Sequence, residues 1–176
     1  MTWLATLVVA TCPPDSPRTE ALLHAARASQ AAHLRWRDGW SGAFGLVSLT
    51  MLSTSELVEA PSRPAWYAGA AWTAAGIPFV FLQLEPQTLE CLDDELLEAR
   101  LLALAVTEER AASVTSHLLS LGTNAVAGLA MGALLDDWVS ALVNFTLNSV
   151  VGALTLATVP CETRAAFERY RAEFSR

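Results

Sequence analysis

Residues 111–161 read AASVTSHLLSLGTNAVAGLAMGALLDDWVSALVNFTLNSVVGALTLATVPC. Two long apolar runs flank one acidic pair, Asp136-Asp137. In 111–135 the only ionisable group is His117, and 138–161 holds no strong acid or base. A helix rises about 1.5 Å per residue, so about 20 residues cross the roughly 30 Å hydrocarbon layer of a bilayer. Both runs are long enough. A carboxylate at mid-membrane costs about 2.5 kcal/mol or more, so the acidic pair predicts a tight surface hairpin between two spans.

The same reading extends outward. Residues 66–84, WYAGAAWTAAGIPFVFLQL, carry no charge and no polar face at helical period. A soluble bundle helix would show such a face. Residues 39–55, GWSGAFGLVSLTMLSTS, are also uncharged but shorter and rich in Ser and Thr. Trp36, Trp40, Trp66, Tyr67 and Trp138 stand at the edges of these stretches, where amphipathic rings favour the headgroup level. Glu59, Pro61, Ser62, Arg63 and Pro64 form a breaker-rich link, and Pro78 predicts a kink.

Between the spans lie two charged segments. Over 17–37, Asp15-Ser16 can cap a helix and Pro17 suits its first turn. Leu22, Ala25, Ala26, Ser29, Ala32 and Trp36 fall on one side, and Glu20, His24, Arg27, Ala31 and Arg35 on the other. Such a helix would lie at the interface or extend the first span. Over 88–110, Thr88 is the expected N-cap, with Glu90, Asp93, Asp94 and Glu95 favoured by the helix dipole. Leu89, Leu92, Leu96, Ala99 and Ala103 form the expected apolar stripe. The charged tail 162–176 reads as helical.

The expected fold is therefore all-α: a single four-span transmembrane bundle of two hairpins, each preceded by an amphipathic helix. Its parts are an apolar N-terminal segment and Pro-rich link (1–16), a helix (17–37), spans at 39–58 and 66–84, an acidic helix (88–110), spans at 111–135 and 138–160, and the tail. Met1 to Thr11 resembles the end of a secretory signal at Val8-Val9-Ala10, but has no basic leading region.

Composition agrees. The 176 residues are 53% hydrophobic and 16% charged, with mean hydropathy +0.36. Soluble domains carry about 25% charged residues. All 11 basic residues are Arg, and all but Arg63 fall in the segments that a four-span chain places on the side of its termini. Positive charge stays inside, so the reading is a multi-pass protein of the inner (plasma) membrane with cytoplasmic termini. A net charge of −7 without a basic cluster argues against nucleic acid. Cys12, Cys91 and Cys161 are widely spaced and form no disulfide or zinc pattern.

No phosphate-binding loop, nucleophile elbow or zinc-protease motif occurs. His24, His33 and His117 belong to no recognisable metal-ligand cluster in the sequence, so neither metal nor cofactor is expected. The informative positions are polar or small ones inside the spans. Asn144, Asn148 and Thr155 fall near one face of the fourth span. Asn124, Gly128 and Gly132 lie along the third, the two glycines as a GxxxG, and His117 stands near its entry. Small residues let helices approach, and Asn or Thr then bond across them for roughly 1 kcal/mol. These residues are expected to pack spans three and four, or to form a homo-oligomer face or a contact with other membrane subunits. The leading reading is a non-catalytic scaffold, assembly or accessory protein whose partner is the bilayer. Its rivals are a small transporter or channel with a polar path from spans three and four, and a membrane-embedded enzyme using Glu56, Asp136, Asp137 or His117.

Overall fold

The computed structural model describes residues 16–83 and 93–174. The segment 1–11, Asp15, Thr88 and Glu90 lie outside these residues, as do Leu89 and Leu92. Seven α-helices follow in order: α1 Pro17–Thr54, α2 Arg63–Ala74, α3 Gly76–Gln83, α4 Asp94–Ala111, α5 Val114–Leu135, α6 Trp138–Ala157 and α7 Glu162–Phe174. Two 3₁₀ turns, Ser55–Leu57 and Ala60–Ser62, join α1 to α2, and there is no strand among the described residues.

Helix α1 merges the expected amphipathic helix and first span into 38 unbroken residues. Ser16 caps it, its Oγ accepting from Thr19 N at 3.1 Å. No proline interrupts residues 18–54, so the backbone ladder runs on through Arg37-Asp38-Gly39. At the Ser/Thr-rich end, 50–54, the hydroxyls bond back to their own helix. Thr50 donates to Leu46 O, Ser53 to Leu49 O and Thr54 to Thr50 O, each at 2.8 Å. The helix then ends at Thr54, short of the expected 58.

The expected second span is broken into α2 and α3 at Ala75. Pro78 explains the place, since it has no N–H for the carbonyl of Ala74 four residues back. Among the described residues two helices are long and apolar enough to cross a membrane: α5, and the run beginning at Trp138 whose apolar part is α6. The α2 and α3 pieces, with 12 and 8 residues, are individually too short.

The seven helices sort by charge. The first half of α1 packs with α4 and α7 as a charged three-helix head, around Leu22, Ala25, Ala26, Leu97, Leu101, Phe167 and Tyr170. The buried side of α1 is the expected one, with His33 added. That of α4 is not: Leu97, Leu101, Ala105 and Glu108 are buried, while Leu96, Ala99 and Ala103 are exposed. The expected stripe is offset by about one residue, because the face that counts is the one opposite α1 and α7. Asp93 caps α4, accepting from Leu96 N at 2.8 Å. Arg18 clasps the head, with Nη2 on Glu98 Oε2 at 2.7 Å and Nε on Tyr170 Oη at 2.6 Å, while the tyrosine donates to Glu98 at 2.9 Å. Burial, then the bond to Glu98, raises the Tyr170 phenol above its ordinary range.

The second half of α1 packs with α2, α3, α5 and α6 as the apolar bundle. Trp36 and Trp40 stand at its junction with the head, their indoles donating to Thr155 O at 3.3 Å and Thr158 Oγ1 at 2.8 Å. At the far end lie the 55–62 turns and the α5–α6 hairpin, where Ala65, Met131 and Ala141 share a core. There Tyr67 donates to Glu56 at 2.8 Å. Asp136 closes α5 in a left-handed conformation (φ 51°), and Asp137 caps α6, accepting from Ser140 N at 3.0 Å. The hydrogen bonds from Ser140 hold the Asp137 carboxyl below its ordinary range.

Candidate functional site

Helices α5 and α6 turn their small and polar residues inward. Buried on α5 are Asn124, Gly128, Met131 and Gly132; on α6, Ser140, Ala141, Asn144, Thr155 and Leu156. Leu156 apart, most leucines and valines point out, led by Leu134 at 82% exposed and Val139 at 76%.

The glycine pair settles into the α5–α6 hairpin. A Cβ on Gly128 would meet Phe145 Cβ at 3.1 Å and Ala141 O at 3.6 Å. One on Gly132 would lie 2.5 Å from the Trp138 ring. The GxxxG face is thus covered within the chain.

Asn144 packs toward α2. Its Nδ2 donates to Ser140 O at 2.9 Å, and its buried Oδ1 has no hydrogen-bond partner. That oxygen is pressed against the Gly69 backbone, where a Cβ would stand 1.9 Å away. Ser48 ties α1 to α2, donating to Ala70 O at 2.8 Å.

Asn124, Asn148 and Thr155 line a cavity of about 460 Å³ in the half of the bundle nearer the head. Its walls are Phe44 of α1, the α2–α3 break from Trp72 to Phe79, Ser116 to Asn124 of α5, and Asn148 to Leu156 of α6. Asn148 is held on both sides. Its Nδ2 donates to Asn144 O at 2.8 Å, and Thr73 Oγ1 lies 3.1 Å from its Oδ1 and 2.9 Å from Gly69 O. Trp72 Nε1 donates to Asn124 Oδ1 at 3.0 Å. His117 and Asn144 are not among the lining residues. Sequence reading missed Ser116 and Ser120, although their spacing with Asn124 (i, i+4, i+8) is a helical stripe.

A second polar cluster lies in the head, and sequence reading missed it altogether. Glu108 is buried where α4 meets α1 and α7. His33 Nε2 lies 2.7 Å from its Oε1, which also accepts from Thr163 Oγ1 at 2.5 Å and Thr163 N at 3.3 Å. Its Oε2 accepts from Arg164 N at 3.1 Å. The carboxyl group therefore caps α7 from another helix, meeting N–H groups that have no partner inside their own first turn. The Thr163 proton is committed to Glu108, so Ser29 Oγ donates to Thr163 Oγ1. A serine, a histidine and an acid in one cluster invite comparison with a hydrolytic triad. The order is wrong for one: His33 touches the acid and not the serine, whereas a triad needs the histidine on the nucleophile. Ser29 is also fully buried. The cluster joins three helices. The acids weighed for an embedded enzyme do not converge with His117. Glu56 pairs with Arg63 at 3.1 Å at the far end, where Asp137 is an N-cap, and His117 lies near the start of α5.

Comparison with protein-family models, curated proteins and solved structures finds no match to this chain.

Proposed function

We propose that this chain is a small multi-pass membrane protein with a non-catalytic scaffold, assembly or accessory role. In this reading the second half of α1, the α2–α3 pair, α5 and α6 are four membrane-crossing segments, and the charged head and both termini are cytoplasmic. One observation carries it: the buried faces of α5 and α6 are mostly Asn, Ser, Thr, Gly and Ala, while most of their Leu and Val residues are exposed, the reverse of a water-soluble helix. Monomeric soluble proteins rarely expose apolar patches beyond a few hundred Å². In lipid the outward Leu and Val are solvated, and inward small residues let helices approach. Arg18, Arg27, Arg35, Arg37, Arg100, Arg110, Arg164, Arg169 and Arg171 all lie on head helices, which supports that orientation.

Cysteines placed singly at Arg63 and Ala165, in a background lacking Cys12, Cys91 and Cys161, test both parts. In intact cells an impermeant maleimide is expected to label position 63, and position 165 only after lysis. The reverse pattern would turn the topology over. Recovery of the chain as a monodisperse particle without detergent would remove the membrane reading altogether.

The cavity favours a second reading, a solute path. It would require flux of a small neutral solute in reconstituted vesicles, abolished by Asn148→Leu. Retention of the oligomeric state in that variant would separate lost transport from lost assembly.

A further inference from the structure

Two polar groups in the cavity wall have no partner among the described residues. Asn124 is 8% exposed, and its carbonyl is taken by Trp72. An indole nitrogen can only donate, so this bond fixes the amide: Oδ1 faces Trp72 and the Nδ2 amino group faces away. One turn earlier on the same face is the Ser120 hydroxyl. Both groups converge at Gly152, where a Cβ would lie 2.7 Å from Ser120 Oγ and 3.6 Å from Asn124 Nδ2. All three residues line the cavity. The missing side chain at 152 lets the Ser120 hydroxyl lie against the α6 backbone beside the Asn124 amino group, so the two groups form one polar spot in the cavity wall.

Uncommitted polar groups inside an apolar bundle are costly unless something bonds them. The lining holds no charged residue. The volume of about 460 Å³ suits a small molecule, whose sites span roughly 300–1,000 Å³. Phe79 and Leu119 line the same cavity and are exposed, so they form an apolar mouth on the bundle surface.

We infer that this cavity binds a neutral single-chain amphiphile from the bilayer, its hydroxyl or carbonyl head held by Ser120 and Asn124 and its chain leaving past Phe79 and Leu119. A carboxylate or ammonium head would enter with no counter-charge, at a cost the lining does not offset. The inference rests on the membrane reading for the ligand's route, while the recognition belongs to the pocket.

The test uses the full chain in phosphatidylcholine nanodiscs and a dodecanol carrying a diazirine on its chain. Photolabelled residues are mapped by mass spectrometry. Labelling is expected to concentrate on 76–79 and 116–124. Excess 1-dodecanol is expected to suppress it, and dodecyl sulfate and dodecylammonium are not. Ser120→Ala should lower occupancy about fivefold, the loss of roughly one hydrogen bond, and Gly152→Val should abolish it by driving the Ser120 hydroxyl from its place. If the Gly152 variant does not fold, Ser120→Ala, which removes only an oxygen atom, decides. Labelling spread equally over Leu134, Val139 and Leu142, equal competition by the charged heads, or unchanged labelling of Ser120→Ala would overturn the proposal. Should the chain prove water-soluble, the membrane reading fails, and the same labelling in detergent-free buffer still judges the pocket.

Discussion

Replacing Glu108 by Ala is expected to detach α7 from the head and destabilise the fold by about 3–5 kcal/mol, the usual consequence of removing one member of a buried polar pair. The magnitude follows from what the carboxyl group serves. It meets His33, the Thr163 hydroxyl and two backbone N–H groups of the first turn of α7. Alanine leaves the His33 ring and the Thr163 hydroxyl and N–H buried without this acceptor, and each orphaned group costs roughly 1–3 kcal/mol. His33→Ala should cost less, about 1–3 kcal/mol, because the three contacts to α7 survive. Thermal unfolding in mild detergent measures the loss. Limited proteolysis locates it, with new cleavage expected between Thr158 and Arg164. An Ala variant within about 0.5 kcal/mol of the parent, the range of ordinary surface substitutions, would show that the cluster does not hold the head together.

Gly69→Ala carries the second large effect, although it adds a single methyl group. Its Cβ would stand 1.9 Å from Asn144 Oδ1, 2.6 Å from Asn144 Cγ and 2.7 Å from Met51 Cε. Three helices, α1, α2 and α6, meet there, so no one of them can retreat alone. Overpacking usually costs about 1–3 kcal/mol, and a clash on two sides belongs at the top of that range. The partner mutation is diagnostic. Asn144→Ala removes the amide that the new methyl strikes, and its one donated bond is to its own helix, so Gly69→Ala with Asn144→Ala should regain more than half of the loss. A coupling energy above about 1 kcal/mol in this double-mutant cycle supports direct contact, and simple additivity would refute it. Measurement is again by unfolding in detergent, with oligomeric state checked by size exclusion.

These two sites differ in how far the chain itself announces them. Asn144 could be singled out from the sequence, because an Asn inside an apolar run is conspicuous. What the sequence could not supply was its direction. Asn144 and Asn148 are one turn apart, yet the first packs under Gly69 and the second reaches the cavity. Which of them meets open space depends on where the α2–α3 break places its backbone. Glu108 could not be singled out at all. It sits in a charged segment beside Glu109, and nothing local distinguishes the buried carboxyl group from the exposed one.

Local sequence determined the parts. The charge gaps marked the apolar runs, Ser16 caps α1 at its expected place, Asp136-Asp137 makes the hairpin, and Pro78 breaks the ladder at Ala75. Each depends on residues within a few positions, through backbone hydrogen bonding and transfer from water. Only tertiary packing decided which side of α4 is buried, and that Ser29, His33, Glu108 and Thr163 meet. Those outcomes join residues up to 134 positions apart, and the free energy that selects among such arrangements belongs to the contact between helices, which no single segment contains.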